Sequence, residues 1–146
     1  MIEFHSGSGP DSEAVGVALE EMFLDYRVVS GGASIVIVDS GAHIEGMKPI
    51  LLHLALHSDR LLPEPQRKEI ARWLDLAANG AVDPRKLEAQ LAASPYILGD
   101  ITLADMAVYP IVSRLPHHTL QAHTTRWVRR MSQRSATGRG IGAVMC

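Results

Sequence analysis

The chain has 146 residues, 47% of them hydrophobic, 21% charged and 5% aromatic, with a formal net charge of −2. That length holds one ordinary domain, or two very small ones on a shared core, and its apolar runs, such as residues 35–38 and 50–52, are too short to span a bilayer. The single cysteine, Cys146, excludes an internal disulfide framework and a cysteine-based zinc cluster. With no basic-then-apolar leader after Met1, the expectation is a cytoplasmic protein without a membrane segment.

Residues 2–5 alternate as a short strand. Ser6-Gly7-Ser8-Gly9-Pro10 is rich in turn formers, and Pro10 suits the first turn of a helix, where its missing N–H costs nothing. Val15, Leu19, Met22 and Phe23 then recur at helical spacing, which predicts a helix to Leu24. Residues 26–29 read as a second strand, Ser30-Gly31-Gly32-Ala33 as a turn and residues 34–38 as a β-branched third strand. Asp39-Ser40-Gly41 is a tight turn into a fourth strand at residues 42–45. A helix is predicted over residues 48–57, with Ile50, Leu51, Leu54 and Leu56 making a broad apolar surface.

Leu61-Leu62-Pro63-Glu64-Pro65 interrupts the pattern and marks a boundary between residues 1–60 and 61–146. Everything beyond it is helical in pattern. One helix covers residues 66–78, with Ile70, Trp73, Leu74 and Ala77 on one stripe. Another starts at an Asp83 N-cap followed by Pro84, carries Leu87 and Leu91, and stops at Ser94-Pro95. Trp73 and Trp127 sit at helical spacing from apolar neighbours and are expected in the core or an interface. The sharpest local signal is Gly99-Asp100-Ile101-Thr102-Leu103-Ala104-Asp105-Met106. Thr102 can cap a helix, Asp105 can reach back to the Thr102 N–H, and Ile101 and Met106 occupy the hydrophobic-staple positions.

Charge is unevenly spread. Residues 1–105 hold all sixteen acids and eight of the fourteen Lys and Arg, whereas residues 106–146 hold six arginines (114, 126, 129, 130, 134 and 139) and no acid. An acidic first half packing or dimerising against a basic second half is one reading, and a basic face for phosphate or an acidic partner is the other. Trp127 alone accompanies these arginines, which argues against stacking on nucleic-acid bases.

A β-α-β-β-β-α half, a proline-broken linker and a helical half containing Gly-Asp-Ile-Thr-Leu-Ala-Asp resemble the glutathione transferase superfamily, in the style of its bacterial nu-class and disulfide-bond-reductase members. Residues 19–26 are similar to the family's first helix and its exit into the second strand, residues 35–39 to its third strand, and residues 50–55 to the helix closing the first domain. Residues 126–130 and 134–138 are similar to its terminal helix and the arginine-rich turn that follows. The resemblance implies a thioredoxin-like α/β domain, a four-stranded mixed sheet with two helices at residues 1–60, and a reduced all-α bundle at residues 61–146. It also implies a glutathione site; a homodimer is expected, which would cover the apolar surface left by the shortened helices.

The positions that would do the chemistry differ from the family's. The activating hydroxyl or thiol before the proline that opens the first helix falls on Gly9; Ser8 and Ser12 flank it and could substitute only if the loop is redrawn. Asp11 and Glu13 put negative charge beside any thiolate there. The family's cis-proline at the head of the third strand falls on Ile35, for which a trans bond is expected. Its acid-serine pair for the γ-glutamyl carboxylate falls on Gly46-Met47, with Glu45 one residue early. Backbone donors at Ser34 and Val36 complete the candidate site. The chain is also shorter than the family, between Val29 and Ser34 and again between Ala78 and Asp83, and both losses strike the cleft.

His53 and His57 stand at i, i+4, a spacing that can bind metal. No third ligand stands near in sequence and the resemblance implies none, so no metal is expected. His117, His118 and His123 read as a solvated loop. The expected function is a compact glutathione-transferase-like protein with a degenerate glutathione site, an interaction or dimerisation module with weak or no conjugating activity, with a protein partner conceivable. The alternative is an active glutathione-dependent transferase or disulfide reductase using a redrawn Ser8/Ser12 loop.

Overall fold

The computed structural model describes residues 1–30 and 34–145, so the turn expected at residues 31–33, and Cys146, lie outside the described residues. Strand β1 (Ile2–Ser6) is central in a four-stranded sheet. It pairs parallel with β2 (Tyr26–Ser30) and antiparallel with β3 (Val36–Asp39), and β4 (Ala42–Glu45) pairs antiparallel with β3, giving the order β2-β1-β3-β4. The β3–β4 connection is a two-residue turn in which Ser40 (φ 50°) and Gly41 (φ 87°) both take left-handed conformations. Positive φ at both positions matches the right-handed twist of the flanking strands. The third strand starts at Val36, two residues later than the β-branched run predicts, though the Ile35 carbonyl still accepts the Gly46 N–H (3.1 Å) in register with the Val36–Glu45 pair.

Helix α1 (Pro10–Glu21) lies at the centre of the molecule, between the sheet and the helical half. Ala14, Val15, Gly16, Val17, Ala18 and Leu19 are all buried, so α1 is enclosed on every side rather than along a stripe. It ends three residues before the periodicity predicts. The Leu24 N–H donates to the Leu19 carbonyl and the Phe23 N–H to the Glu20 carbonyl (both 3.1 Å), with Phe23 at φ 56°. This is a Schellman close with phenylalanine in the left-handed position that glycine usually takes. Helix α2 (Met47–Leu54) follows β4. Its end tightens, with Leu56 N–H on the His53 carbonyl and His57 N–H on the Leu54 carbonyl (both 3.0 Å), so His57 stays in helical succession.

Two short 3-10 turns lead into α3 (Arg67–Ala78) and α4 (Pro84–Ala93), where the Asp83 side chain accepts from the Arg85 N–H at 2.9 Å. Helix α5 (Leu103–Ser113) carries the expected capping box. Thr102 Oγ1 accepts from the Ala104 N–H (3.2 Å) and Asp105 from the Thr102 N–H (2.9 Å). Trp73 and Trp127 both lie in the core. Helix α6 (Ala122–Ser132) contains His123 in its first turn, not in a solvated loop. Glu88 of α4 reaches across to accept from the His123 and Thr124 N–H groups (3.2 and 2.9 Å), capping α6 from a neighbouring helix.

The segment after Arg134 also departs from expectation. Residues 135–138 open a helix, α7 (Ser135–Met145), instead of forming a turn. Its glycines disfavour helix intrinsically, and packing supplies what propensity withholds. A Cβ placed on Gly140 would come within 2.4–2.5 Å of the backbone of Gly16 and Val17, so α1 and α7 meet backbone to backbone. Three of the six arginines of residues 106–146 meet acids of α1. Arg139 pairs with Glu20 (2.7 Å), Arg134 with Glu21, and Arg114 at the end of α5 with Glu13 (2.8 Å), so the basic segment packs onto the acids of α1.

Candidate functional site

Strand directions gather the expected glutathione-site residues at one end of the sheet. β1 ends there at Ser6, β3 begins there at Val36, which is opposite both His5 and Glu45, and β4 ends there at Glu45. The starts of α1 and α2 follow directly, so two helix N-termini with free N–H groups share this end. Ser8 is exposed on the loop entering α1. Gly9, at φ 112° and ψ 177°, occupies the N-cap of α1 without offering a side chain to the helix N–H groups. Ser12 is fully buried, and its Oγ accepts the Gly7 N–H at 3.0 Å. That hydroxyl closes the loop onto the helix and faces away from solvent.

The remaining positions divide between surface and core. Ser34 and Glu45 are exposed, Ile35 and Val36 are half-buried, and the described residues contain no cis peptide bond. Gly46 sits at the N-cap of α2 with φ 94° and donates its N–H to Ile35. Met47 is buried in the core. The two acids of the α1 first turn part company as well. Glu13 is drawn inward to Arg114, while Asp11 stays exposed at the helix start. This end of the sheet thus retains backbone donors and lacks a free carboxylate-binding hydroxyl at the head of α2. In the helical half, an apolar cavity between α4, α5 and α6 holds about 50 Å³, room for a few waters, and is lined by Val82, Leu87, Ile111, Leu115, Leu120 and Thr124.

The opposite end of the sheet holds a cluster that is split between two separate sequence signals. Asp39, the last residue of β3, places Oδ2 2.9 Å from His53 Nε2 and 2.6 Å from His57 Nε2. The imidazoles of His57 and His53 hold its carboxyl below the ordinary aspartate value. The i, i+4 histidines are visible in the sequence, and so is an acid before the Ser40-Gly41 turn. What joins them is the packing of α2 beside the β3–β4 hairpin, which places the end of that helix by the turn. Three large apolar side chains are exposed at this end too, Met1 (88%) before β1, Phe23 (84%) after α1 and Leu56 (80%) after α2.

No family model matches the sequence, and no curated protein matches it. Solved structures do match. The theta class glutathione S-transferase from the citrus canker pathogen Xanthomonas axonopodis pv. citri, in its apo form, superposes with a TM-score of 0.81 at 17% identity, covering 99% of this chain and 98% of that one. Glutathione transferase E6 from Drosophila melanogaster gives 0.80 at 16%, covering 99% and 94%. A glutathione transferase homolog from Lodderomyces elongisporus, with two glutathiones per subunit, gives 0.82 at 17%, covering 97% of each chain. Across nearly its whole length, therefore, this chain has the glutathione transferase fold, a thioredoxin-like half followed by a helical half.

Proposed function

We propose that the protein is a compact glutathione-transferase-like module whose glutathione site is degenerate, and that it acts as a cytoplasmic interaction or dimerisation module with weak or no conjugating activity. The observation that carries this reading is the burial of Ser12 with its hydroxyl committed to the Gly7 N–H. A thiol of glutathione is activated by a donor aimed at its sulfur, and a hydroxyl turned into the core cannot reach one. The burial of Met47 where the γ-glutamyl carboxylate needs a hydroxyl, and the exposed Asp11 at the head of α1, point the same way. Phe23 and Leu56, both at one end of the sheet, are apolar surface that a second copy or a protein partner would cover.

Calorimetric titration with glutathione, beside sedimentation of the free protein, tests this. The expected result is no binding tighter than about 1 mM together with a concentration-dependent dimer. Tighter binding, with turnover of an electrophile, would overturn it in favour of an active glutathione-dependent transferase or disulfide reductase. One observation favours that second reading: Ser8 remains exposed on the loop into α1, at the end of the sheet where β3 begins. Loss of turnover in Ser8→Ala, with Ser12→Ala changing stability alone, would then assign the hydroxyl.

A further inference from the structure

We infer that Asp39, His53 and His57 form a binding site for one divalent transition-metal ion of the zinc class, at the end of the sheet opposite the glutathione positions. Their ligand atoms, one carboxylate oxygen and two imidazole nitrogens, lie within 4.8 Å of one another. Both histidines turn the same nitrogen, Nε2, toward the same oxygen, Asp39 Oδ2. Their rings stand edge to face, with centroids 6.2 Å apart at 74°, so neither blocks the other's nitrogen. Zinc bonds of about 2.0 Å set tetrahedral ligands about 3.3 Å apart. The separations of 2.9 and 2.6 Å lie within about 0.7 Å of that value, and an ion would replace the protons that now lie between the groups.

The backbone beneath the cluster is already fixed. Asp39 is held by its pairing with Ala42 and by the two left-handed residues of the turn. His53 lies within α2, and His57 is held in the tightened turn by its N–H on the Leu54 carbonyl. Such preorganisation is what a metal site requires of its ligands. The side chains are 13%, 22% and 38% exposed, so an ion can enter and keep a water in a fourth position. Two imidazoles and one carboxylate select zinc, cobalt, nickel or copper over magnesium and calcium, which take all-oxygen ligand sets. His43 is excluded from the set. It lies opposite Val38 in the β3–β4 pairing and so projects from the other face of the sheet.

The site is independent of the glutathione reading. Helical rise alone separates Met47 from His57 by about 15 Å, and its test does not involve glutathione. Zinc is titrated into the untagged full chain carrying Cys146→Ser, which removes the one thiol, against a chromophoric chelator. The expected result is one zinc per chain at micromolar affinity. It is weakened at least about tenfold in His57→Ala and in Asp39→Asn, and is unchanged in His43→Ala. Cobalt in place of zinc should give the visible absorption of a bound, low-coordinate ion. His57→Gln gives the same readout should the alanine variant lose its circular dichroism. Binding weaker than about 0.1 mM, or binding that survives the folded His57 and Asp39 variants, overturns the site.

Discussion

The carboxyl of Asp105 accepts three N–H groups from three separate segments: Thr102 at the helix cap (2.9 Å), Ile97 in the preceding loop (3.1 Å) and the Trp127 indole of α6 (2.9 Å). A capping box needs only the first of these. The other two tie the α4–α5 loop and α6 to the start of α5, and the group doing so is fully buried. Asp105→Ala leaves three buried donors without an acceptor, and urea unfolding should show a loss of about 3 kcal/mol or more. Burial, against the pull of those N–H groups, pushes this carboxyl up to about 6 from 3.8. The protonated form is therefore favoured by the fold. Its contribution is complete below about pH 4 and is lost as pH rises through 6. Asp105→Asn cannot titrate, so the stability advantage of the wild type over this variant should shrink by about 2 kcal/mol between pH 4 and pH 7. Every other titrating group is common to both proteins and cancels. An advantage that grows with pH would mean the N–H donors outweigh burial.

Between elements, the contact that most constrains the sequence is the crossing of α1 and α7 at Gly16 and Gly140. A methyl group on Gly140 would lie 2.4–2.5 Å from the backbone of residues 16 and 17, and no rotamer relieves a larger residue. Gly140→Ala should improve the intrinsic propensity of α7 yet destabilise the protein by about 1–3 kcal/mol, measured by denaturant midpoint. Gly138→Ala, which meets nothing within 4 Å, should be neutral or stabilising. A stabilised Gly140→Ala would show that α7 does not sit on α1. This crossing also explains why the last helix is illegible in the sequence. Three glycines in eleven residues read as a turn, and only the partner surface of α1 makes them a helix. The capping box at Thr102 and Asp105 is legible because it needs only residues three apart. The strands are legible because β-branched runs and the Ser40-Gly41 turn are local too. Of the candidate glutathione site, residue types can be read but burial cannot, and burial separates Ser8 from Ser12. The Asp39, His53 and His57 cluster needs the tertiary placement of α2 beside a strand end.

At the scale of the whole molecule, the proline-broken linker at residues 61–65 suggests two units, whereas α1 argues for one. Its helix faces are shared among the sheet, α5 and α7, and its acids Glu13, Glu20 and Glu21 pair with arginines 114, 139 and 134 of the second half. Glu21 is buried, and Arg134 also donates to the Tyr96 hydroxyl at 3.2 Å, while Arg60 sends a hydrogen bond to the Glu21 carbonyl at 2.6 Å. Removing residues 61–146 would expose the apolar faces of α1 and leave Glu21 as a charge without its main partner, which is a large cost. The two halves should therefore unfold together. Both tryptophans, Trp73 and Trp127, lie in residues 61–146, so fluorescence reports on the helical half alone. The amide signals of β1 and β2 report on the other half. In a urea titration, the loss of tryptophan fluorescence and of strand amide peaks should share one midpoint and one slope, the mark of a two-state transition. Separate midpoints would show that residues 1–60 hold α1 in place without the second half, and that the ion pairs across the boundary join two stable units rather than completing one.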